Sequence, residues 1–500
     1  MRLSFQHANP EYGNESFVLR FGVGDGETPC ILVDAGDGVD LDSLLHPTDR
    51  LAAICLTHAH SDHYAAISDA HRDNAPIFTS PATAKLLSDV FDVAAVESDI
   101  NASDAVTAAI TPIRDWTTVC PNVEVHPVPA GHVPGAAGFL FRITTGDTTQ
   151  HVVATGDFTR RRAGGFPGFD PTGFVDVDAL FLTGATNDSF SETLTETVGT
   201  ALSHAHSGSR TLVTASGIVG PQLAYVLTAT ATAYDRQTPI RVVGQAAKLY
   251  DALGYECPNV ESIPQFTHTD ACLDPGVITI AGPEVPSERS SGRLFGVLKN
   301  DPNACVIQLV GSGTTPMTDG QCTIHSHSLS NHPTRDTLVD VHDTLDPTTT
   351  VITHVSHGAA GSFNDLDSAV WGAGDTDEYV LYADSHWRLP PWADGKTITS
   401  QGNRRLQQFA SSDLMSWFSA PSLDQHDTPD LTAEGIDTDT VAAALHLRQQ
   451  PSEDRPASTS PSESPTPDSP FTSTPAMTND ESDTADASNT TPPGLTRTTG

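Results

Sequence analysis

The sequence has very little lysine. Four lysines occur in 500 residues, and Lys and Arg together number 25 against 63 Asp and Glu, which gives a net charge of −38. Two interpretations compete: a protein repelled from nucleic acid and anionic membranes, or a protein from a very salty cytoplasm. The acids are spread along every segment, which favours the second interpretation, a halophilic protein. At molar salt the Debye length is about 3 Å, so local basic residues, and not the net charge, must indicate the substrate.

Cysteine and long apolar runs are scarce as well. The seven cysteines are scattered, odd in number and without a CxxC pair, which argues against a disulfide framework or a zinc site built from cysteines. The N-terminus lacks a basic segment followed by an apolar one, and no run approaches 18 apolar residues. We therefore expect a soluble, cytoplasmic protein with no membrane partner.

Histidine is concentrated in one short stretch. The apolar run Leu51–Leu56 predicts a buried strand, and the sequence Thr-His-Ala-His-Ser-Asp-His, residues 57–63, follows it directly. His58 and His60 point the same way in extended geometry, and Asp62 and His63 follow on the next turn. Imidazole nitrogens and carboxylate oxygens are the ligands of zinc and its first-row neighbours. The stretch predicts a metal site at the carboxyl end of a strand; the alternative is a solvated histidine-rich loop.

A polar residue of a type that binds metal also follows other short apolar strands in the first half of the chain. Short apolar strands end in Asp34, in His132 and in Asp157, so each metal-type residue lies just past a strand. Each taken singly has an ordinary interpretation as a turn or loop residue. Their joint order favours one site at one edge of a sheet.

From about residue 190 the pattern changes to alternating helices and parallel-type strands. Segments 192–206, 222–234 and 334–345 read as helices, and 210–214, 240–243, 277–281 and 305–310 read as strands. Earlier in the chain, 64–72 and 81–96 also have helical spacing, the latter with Pro81 at the first helical position after Ser80. Segments 404–418 and 431–448 are further helix candidates. Residues 449–500 are rich in Ser, Thr, Pro and Asp, and we expect disorder there because they cannot form a core.

The ordered set Asp34, His58-x-His60-x-Asp62-His63, His132 and Asp157 resembles the metallo-β-lactamase superfamily of dinuclear zinc hydrolases. The inserted βα segment resembles the β-CASP insertion of the nucleases in that superfamily, through residues 211–224 and 302–313 and through Ser330-Asn-His332 ahead of Thr353-His354. The resemblance implies an α/β fold, namely an αββα sandwich with an inserted β-CASP α/β domain. The implied division is 1–185 and 326–400 for the sandwich, 186–325 for the insertion, 401–448 for a helical extension and 449–500 for the tail.

The resemblance also implies a role for each matching residue. Two zinc ions are expected per chain. The first would be held by His58, His60 and His132, and the second by Asp62, His63 and His354, with Asp157 bridging them. Asp34 would orient a ligand imidazole, and His332 would protonate the leaving group. His357 also fits the last ligand position, although His354 fits the strand better.

Two features depart from the family pattern. An acidic residue normally follows the strand that matches 178–182, whereas this chain has Thr183-Gly-Ala-Thr186, with Asp188 the nearest carboxylate. The usual glycine-rich continuation after the Ser-Gly turn is missing too. If the absent acid partners the auxiliary histidine in the family, His332 is less well positioned here.

Three consecutive arginines, Arg160, Arg161 and Arg162, follow Asp157 closely and are the candidates for binding substrate phosphates. The alternative is a solvated turn paired with nearby acids. The leading hypothesis is a zinc-dependent ribonuclease with RNA as partner; a homodimer is left open. The alternatives are a hydrolase of small esters, thioesters or phosphodiesters, a DNA nuclease of the repair type, and a non-catalytic scaffold of an RNA-processing complex.

Overall fold

The computed structural model describes residues 1–22, 26–98, 100–311, 313–355, 359–393, 418 and 421–445. Within those residues no helix is both long enough and apolar enough to cross a membrane. The predicted helix 404–418, all but Phe418, and the predicted disordered tail lie outside the described residues.

The strands of the described residues fall into three sheets. In chain order they are β1 (Arg2–His7), β2 (Phe17–Gly22), β3 (Thr28–Val33), β4 (Asp49–Cys55), β5 (Ile77–Thr79), β6 (Ile110–Pro112), β7 (Thr117–Cys120), β8 (Val123–Pro129), β9 (Ala137–Thr145), β10 (Thr148–Ala154), β11 (Ala179–Thr183), β12 (Thr211–Thr214), β13 (Ile240–Val243), β14 (Val260–Ile263), β15 (Ile278–Ala281), β16 (Cys305–Val310), β17 (Thr323–Ser328), β18 (Thr349–Thr353), β19 (Ala369–Trp371), β20 (Tyr379–Ala383) and β21 (His386–Trp387).

The α-helices of the described residues cover the sheets. They are α1 (Leu41–Leu44), α2 (Ile67–Ala70), α3 (Pro81–Glu97), α4 (Asp104–Ala109), α5 (Phe190–His206), α6 (Val219–Ala233), α7 (Gln245–Leu253), α8 (Arg289–Leu298), α9 (Arg335–Leu345) and α10 (Thr438–Ala444). Helix α3 begins as its sequence predicts: the hydroxyl of Ser80 accepts a hydrogen bond from the amide of Thr83, and Pro81 occupies the first turn.

Two of the sheets face each other. The first has the strand order β21-β20-β1-β2-β3-β4-β5-β6 and the second has β19-β18-β11-β10-β9-β8-β7. Large apolar side chains from both sheets form one cluster, in which Phe5 and Phe17 of the first sheet contact Phe181 of the second. Burial of this aromatic surface, at roughly 25 cal/mol per Å², is what keeps the two sheets together. The mixed α/β architecture with several sheets agrees with a β-lactamase-type domain.

The third sheet is inserted in the sequence between two strands that are neighbours in the second sheet. Strands β11 and β18 pair in parallel, with Ala179 opposite Thr349, yet all strands of the third sheet come between them in the sequence. Its order is β14-β13-β15-β12-β16-β17, and every pairing in it is parallel. The sequence predicts β12, β13, β15 and β16 but misses the edge strands β14 and β17.

Of the helix predicted over 64–72, only α2 (Ile67–Ala70) is helical, and a 3-10 turn at Ser61–His63 precedes it. The cause is backbone bonding to the neighbouring loop: the carbonyl of His63 accepts from the amide of Ala35 at 2.8 Å, and the amide of Ala66 donates to the carbonyl of Ala35 at 2.9 Å. These bonds replace helical ones and fix the turn that carries the ligand-type residues.

The C-terminal described segment packs back on the chain. Of the predicted helix 431–448, only α10 is helical, and residues 446–448 lie outside the described residues. Ahead of α10, the buried carboxylate of Glu434 accepts the amide hydrogens of Gly164 and Gly165 at 2.8 and 2.6 Å. This contact ties the segment to the loop that follows Asp157.

Candidate metal centre

The predicted site residues converge at the carboxyl ends of five strands. Asp34 follows β3, the stretch 57–63 follows β4, and His132 follows β8 after a short loop. Asp157 follows β10, and His354 follows β18. Asp34 and His354 adopt positive φ angles of 56° and 48°, a conformation that is uncommon for residues with a side chain. Both strands therefore turn sharply where they deliver a polar side chain.

His58, His60 and His132 form the first group. Their ligand atoms lie within 4.8 Å of one another. The Nδ1 atom of His60 is 2.9 Å from Nε2 of His58 and 3.1 Å from Nε2 of His132. A proton on Nδ1 of His60 could be donated to only one of the two Nε2 atoms. At least two nitrogen lone pairs therefore face each other here, as they do around a bound cation.

Hydrogen bonds on the far side of these rings fix which nitrogen faces the centre. Nδ1 of His132 donates to the carbonyl oxygen of Asn331 at 2.9 Å. Nδ1 of His58 lies 3.0 Å from the hydroxyl of Thr57, which in turn donates to Asp34 at 2.9 Å. With Nδ1 protonated, Nε2 carries the lone pair in both rings, and such outer partners are typical of ligand histidines.

Asp62, His63 and His354 form the second group around Asp157. Nδ1 of His63 donates to Asp34 at 2.7 Å, and its buried Nε2 has no hydrogen-bond partner. That nitrogen lies 3.4 Å from Asp157 and 3.8 Å from Asp62. An unpartnered buried nitrogen beside two carboxylates fits a ligand position better than a structural one.

Asp157 lies between the two groups. Its carboxylate is 3.8 Å from Nε2 of His132 in the first group and accepts a hydrogen bond from Nδ1 of His354 at 2.6 Å in the second. The hydroxyl of Thr183 also donates to it, at 3.1 Å. Although burial opposes ionisation, His354 and His332 outweigh it and hold the pKa of Asp157 well below its usual range.

Burial and charge set the protonation of the rings. Desolvation lowers the pKa of His58, His60 and His132, which keeps these rings neutral and able to coordinate. For His63, burial is outweighed by Asp34, and its pKa is raised. The carboxylate of Asp62 has its pKa lowered because His63 and His60 overcome the effect of burial.

His332 stands at the edge of the same centre. Its Nδ1 atom is 3.9 Å from Asp157 and has no hydrogen-bond partner, and burial lowers its pKa. The preceding residue holds it in place, since the amide group of Asn331 donates to the carbonyl of His132 at 2.7 Å. Thr183 stands where the family acid would be, and Asp188 lies exposed to solvent.

The three arginines have separate surroundings. Arg160 forms an ion pair with Asp340. The side chain of Arg161 donates to Oδ1 of Asn331 at 3.1 Å and to the carbonyl of His332 at 2.7 Å, so it supports the segment that carries His332. Arg162 donates to the carbonyl of Thr428 at 3.3 Å. Their role in phosphate binding stays a prediction.

The residues present fit a metal centre. Imidazole nitrogens and ionised carboxylates converge in two overlapping groups that share Asp157, and acceptors on the far side of His58, His63 and His132 leave a ring nitrogen of each facing inward. This arrangement is compatible with metal binding. His354 lies within it, whereas the competing candidate His357 is outside the described residues.

Apart from Asp34, the sequence did not reveal the residues that orient the ligands. Thr57, Thr183 and Asn331 each donate to or accept from a ligand-type residue. All three are adjacent to, or end, a strand or motif singled out in the sequence. Their position next to metal-type residues was the available signal, but hydroxyl and amide groups are too common for that signal to be selective.

Comparisons with known proteins identify a related superfamily for part of the chain. Residues 30–222 match the family model described as "Beta-lactamase superfamily domain". The match supports the metallo-β-lactamase superfamily and, in general terms, a hydrolase. The model covers the segment that supplies Asp34, the histidine stretch, His132 and Asp157.

Two curated relatives match locally. An uncharacterized protein, sll0514, from Synechocystis is 29% identical over 136 residues, which is 26% of this chain and 20% of that protein. DNA ligase 6 from Arabidopsis thaliana is 33% identical over 147 residues, which is 29% of this chain and 9% of that protein. The chain thus spans only a small part of either relative.

A solved structure shares the fold. A protein of unknown function from Enterococcus faecalis V583 superposes with a TM-score of 0.54 and 13% identity, over 76% of this chain and 100% of that one. At that identity the likeness shows the fold alone.

Proposed function

We propose that this chain is a metal-dependent nuclease of the β-CASP branch, divergent in sequence, which hydrolyses phosphodiester bonds with two zinc ions. One observation carries the proposal: seven predicted ligands meet in two groups that share Asp157. The branch is supported by the third sheet, which is inserted between the paired strands β11 and β18, at the place where a β-CASP domain would stand.

The chain's own residues would divide the chemistry among them. When bound, a pair of zinc ions supplies Lewis-acid chemistry and lowers the pKa of water from 15.7 to about 7. Asp34 holds the ring of His63, and Asn331 holds that of His132, so the ligands are oriented before substrate arrives. His332 would deliver a proton to the leaving oxygen, a step worth roughly 10²- to 10⁴-fold in rate.

A cleft beside His354 supports a nucleic-acid substrate. It is lined by residues 10–13 and by Ala185, His354, Val355 and Gly374. Tyr12 in this cleft is an aromatic residue with 65% of its surface exposed. An exposed ring next to a phosphodiesterase centre is suited to stacking on a nucleobase, and such stacking tolerates any sequence.

RNA is the expected substrate from the resemblance to β-CASP ribonucleases. DNA is the second candidate, and a specific observation favours it, namely the local match with a protein named as a DNA ligase. Hydrolysis of small esters gains no such support, because a substrate of that kind needs no exposed stacking surface.

The test is cleavage of end-labelled single-stranded RNA and DNA of the same sequence by the full chain at high salt, with and without chelator. Asp62→Asn, at a half-exposed side chain, should abolish cleavage and leave the melting temperature unchanged. His46→Ala is the matched control, since His46 is also about half exposed and belongs to neither group.

Cleavage that survives both Asp62→Asn and the chelator would refute the proposal. Cleavage of neither polymer, together with hydrolysis of nitrophenyl esters, would support the small-ester alternative. Near-zero zinc per chain would support a non-catalytic scaffold.

A further inference from the structure

A second cluster of metal-type side chains lies in the third sheet. The ligand atoms of His204, Cys305 and His325 all lie within 4.8 Å of one another. The ring centroids of His204 and His325 are 5.8 Å apart. None of these residues belongs to the candidate centre around Asp157, and none had a role in the sequence prediction.

The topology brings the three side chains together. Strands β16 and β17 pair in parallel, with Ile307 opposite His325 and Leu309 opposite His327. Since side chains alternate along a strand, Cys305 points to the same face of the sheet as Ile307, and so do both histidines. Helix α5 contacts these two strands and places His204 in its last turn, over that face.

Ring nitrogens in the cluster and next to it lack hydrogen-bond partners. Nε2 of His325 and Nε2 of His327 are buried and have no hydrogen-bond partner. Two buried ring nitrogens without partners on one edge strand are unusual, because each loses the hydrogen bond it would make to water. A bound cation would remove that cost for at least one ring. Cys305 is fully buried beside them.

We propose that His204, Cys305 and His325 bind a zinc-type divalent ion, separate from the candidate catalytic pair. Two imidazoles and one thiolate suit a borderline-soft ion, and calcium or magnesium would be excluded because no oxygen ligand belongs to the set. On binding, the sulfur of Cys305 forms a bond to the ion, and its proton leaves to solvent.

Such an ion would join α5 to β17 across the edge of the third sheet. The chain runs from β17 directly into the segment Leu329–His332, which contacts His132 and Arg161 through Asn331. The ion therefore fixes the start of the segment that carries His332. This role is structural and does not depend on whether the chain is a nuclease.

Cobalt(II) is the probe that separates the two sites. Thiolate coordination to cobalt gives a strong near-ultraviolet charge-transfer band, and the candidate centre around Asp157 contains no cysteine. The wild-type chain, stripped of metal and titrated with cobalt(II), should show this band. Cys305→Ser should remove it and lower the metal content by one ion per chain.

Two variants complete the design. His325→Gln, at a partly exposed position, should weaken cobalt affinity at this site by about 100-fold or more, since even losing an outer partner of a ligand costs 10- to 100-fold. Cys272→Ala is the matched control, because Cys272 is also buried in this half of the chain but lies outside the cluster, and it should retain the band.

A wild-type chain without the band, or a band that persists in Cys305→Ser, would overturn the proposal. Asp62→Asn should retain the band even though cleavage is lost. Failure of the nuclease proposal and failure of this one are therefore distinguishable.

Discussion

The two histidine clusters of this chain differ in how their ligands are held. Around Asp157, the far nitrogens of His58, His63 and His132 bond to Thr57, Asp34 and Asn331, so the rings are oriented by the protein itself. In the third sheet, Nε2 of His325 is buried without a partner, and within the described residues neither His204 nor His325 has an outer hydrogen bond that orients its ring. The contrast indicates that the first cluster is preorganised for chemistry, whereas the second would be ordered by the ion it binds.

The chemical types of the ligands also distinguish the two clusters. Carboxylates and imidazoles surround the first centre, and they leave room for substrate at a cleft. The second cluster has a thiol and no carboxylate within its ligand set. Thiolate ligands are typical of structural zinc sites, and mixed carboxylate–imidazole ligands of hydrolytic ones.

Asp157→Asn should have the largest effect. The carboxylate contacts both groups of the first centre, and an amide would leave His354 and Thr183 facing a group that cannot accept as many hydrogen bonds. We expect undetectable hydrolysis and loss of metal from the first centre, measured by atomic spectroscopy. The cobalt–thiolate band of the second cluster should persist; its disappearance would mean that the two sites are coupled.

His332→Ala should be the next largest. If His332 protonates the leaving oxygen, kcat should fall by about 10²- to 10⁴-fold. Metal content should stay at the wild-type value, because His332 is placed as a proton donor and not as a ligand. A substrate with a leaving group that needs no proton, such as a nitrophenyl phosphodiester, should recover most of the rate. Equal loss on both substrates would contradict the role.

Asp34→Asn should have a smaller effect. Asp34 accepts from the ring of His63 and from the amide and hydroxyl of Thr57, so it orients ligands without being one. Losing such an outer partner costs about 10- to 100-fold in metal affinity or activity. Added zinc should restore part of the activity of Asp34→Asn and none in Asp157→Asn. Zinc titrations of the two variants side by side would check the difference.

Much of the first centre could be predicted from the sequence, because its ligands follow consecutive strands and strand ends meet at one edge of a sheet. The stretch 57–63, His132 and Asp157 all converge as their order indicates. The second cluster could not be predicted. His204, Cys305 and His325 are far apart in the sequence, and the edge strand β17 that carries His325 alternates histidine with serine instead of apolar residues.

The fold was predictable where apolar periodicity was strong. The central strands of the third sheet and the helices α5, α6 and α9 lie close to their predicted positions. The edge strands β14 and β17 were missed because edge strands need few buried side chains. The helix after His63 was predicted too long because the backbone there bonds to Ala35, a contact distant in sequence.

The buried carboxyl of Glu434 makes the free energy of unfolding of this chain depend on pH. Burial raises the pKa of Glu434 to about 7, and the charge of Asp430 adds to the rise. The amide donors of Gly164 and Gly165 and the charge of Arg162 act in the opposite direction but are outweighed. Tyr225 and Tyr255 also face the carboxyl group. The unfolded chain releases this proton near pH 4.5, the ordinary value. Between that pH and about 7 the folded state binds more protons than the unfolded one, so the free energy of unfolding falls as pH rises through this window.

Denaturant midpoints at pH 5 and pH 8 would measure this contribution. Wild-type protein should lose more stability between the two pH values than Glu434→Gln, whose side chain cannot ionise. Equal losses would show that the carboxyl is ionised in both states. The consequence is a C-terminal segment whose attachment to the loop at Gly164 and Gly165 weakens as the pH rises from 5 to 8.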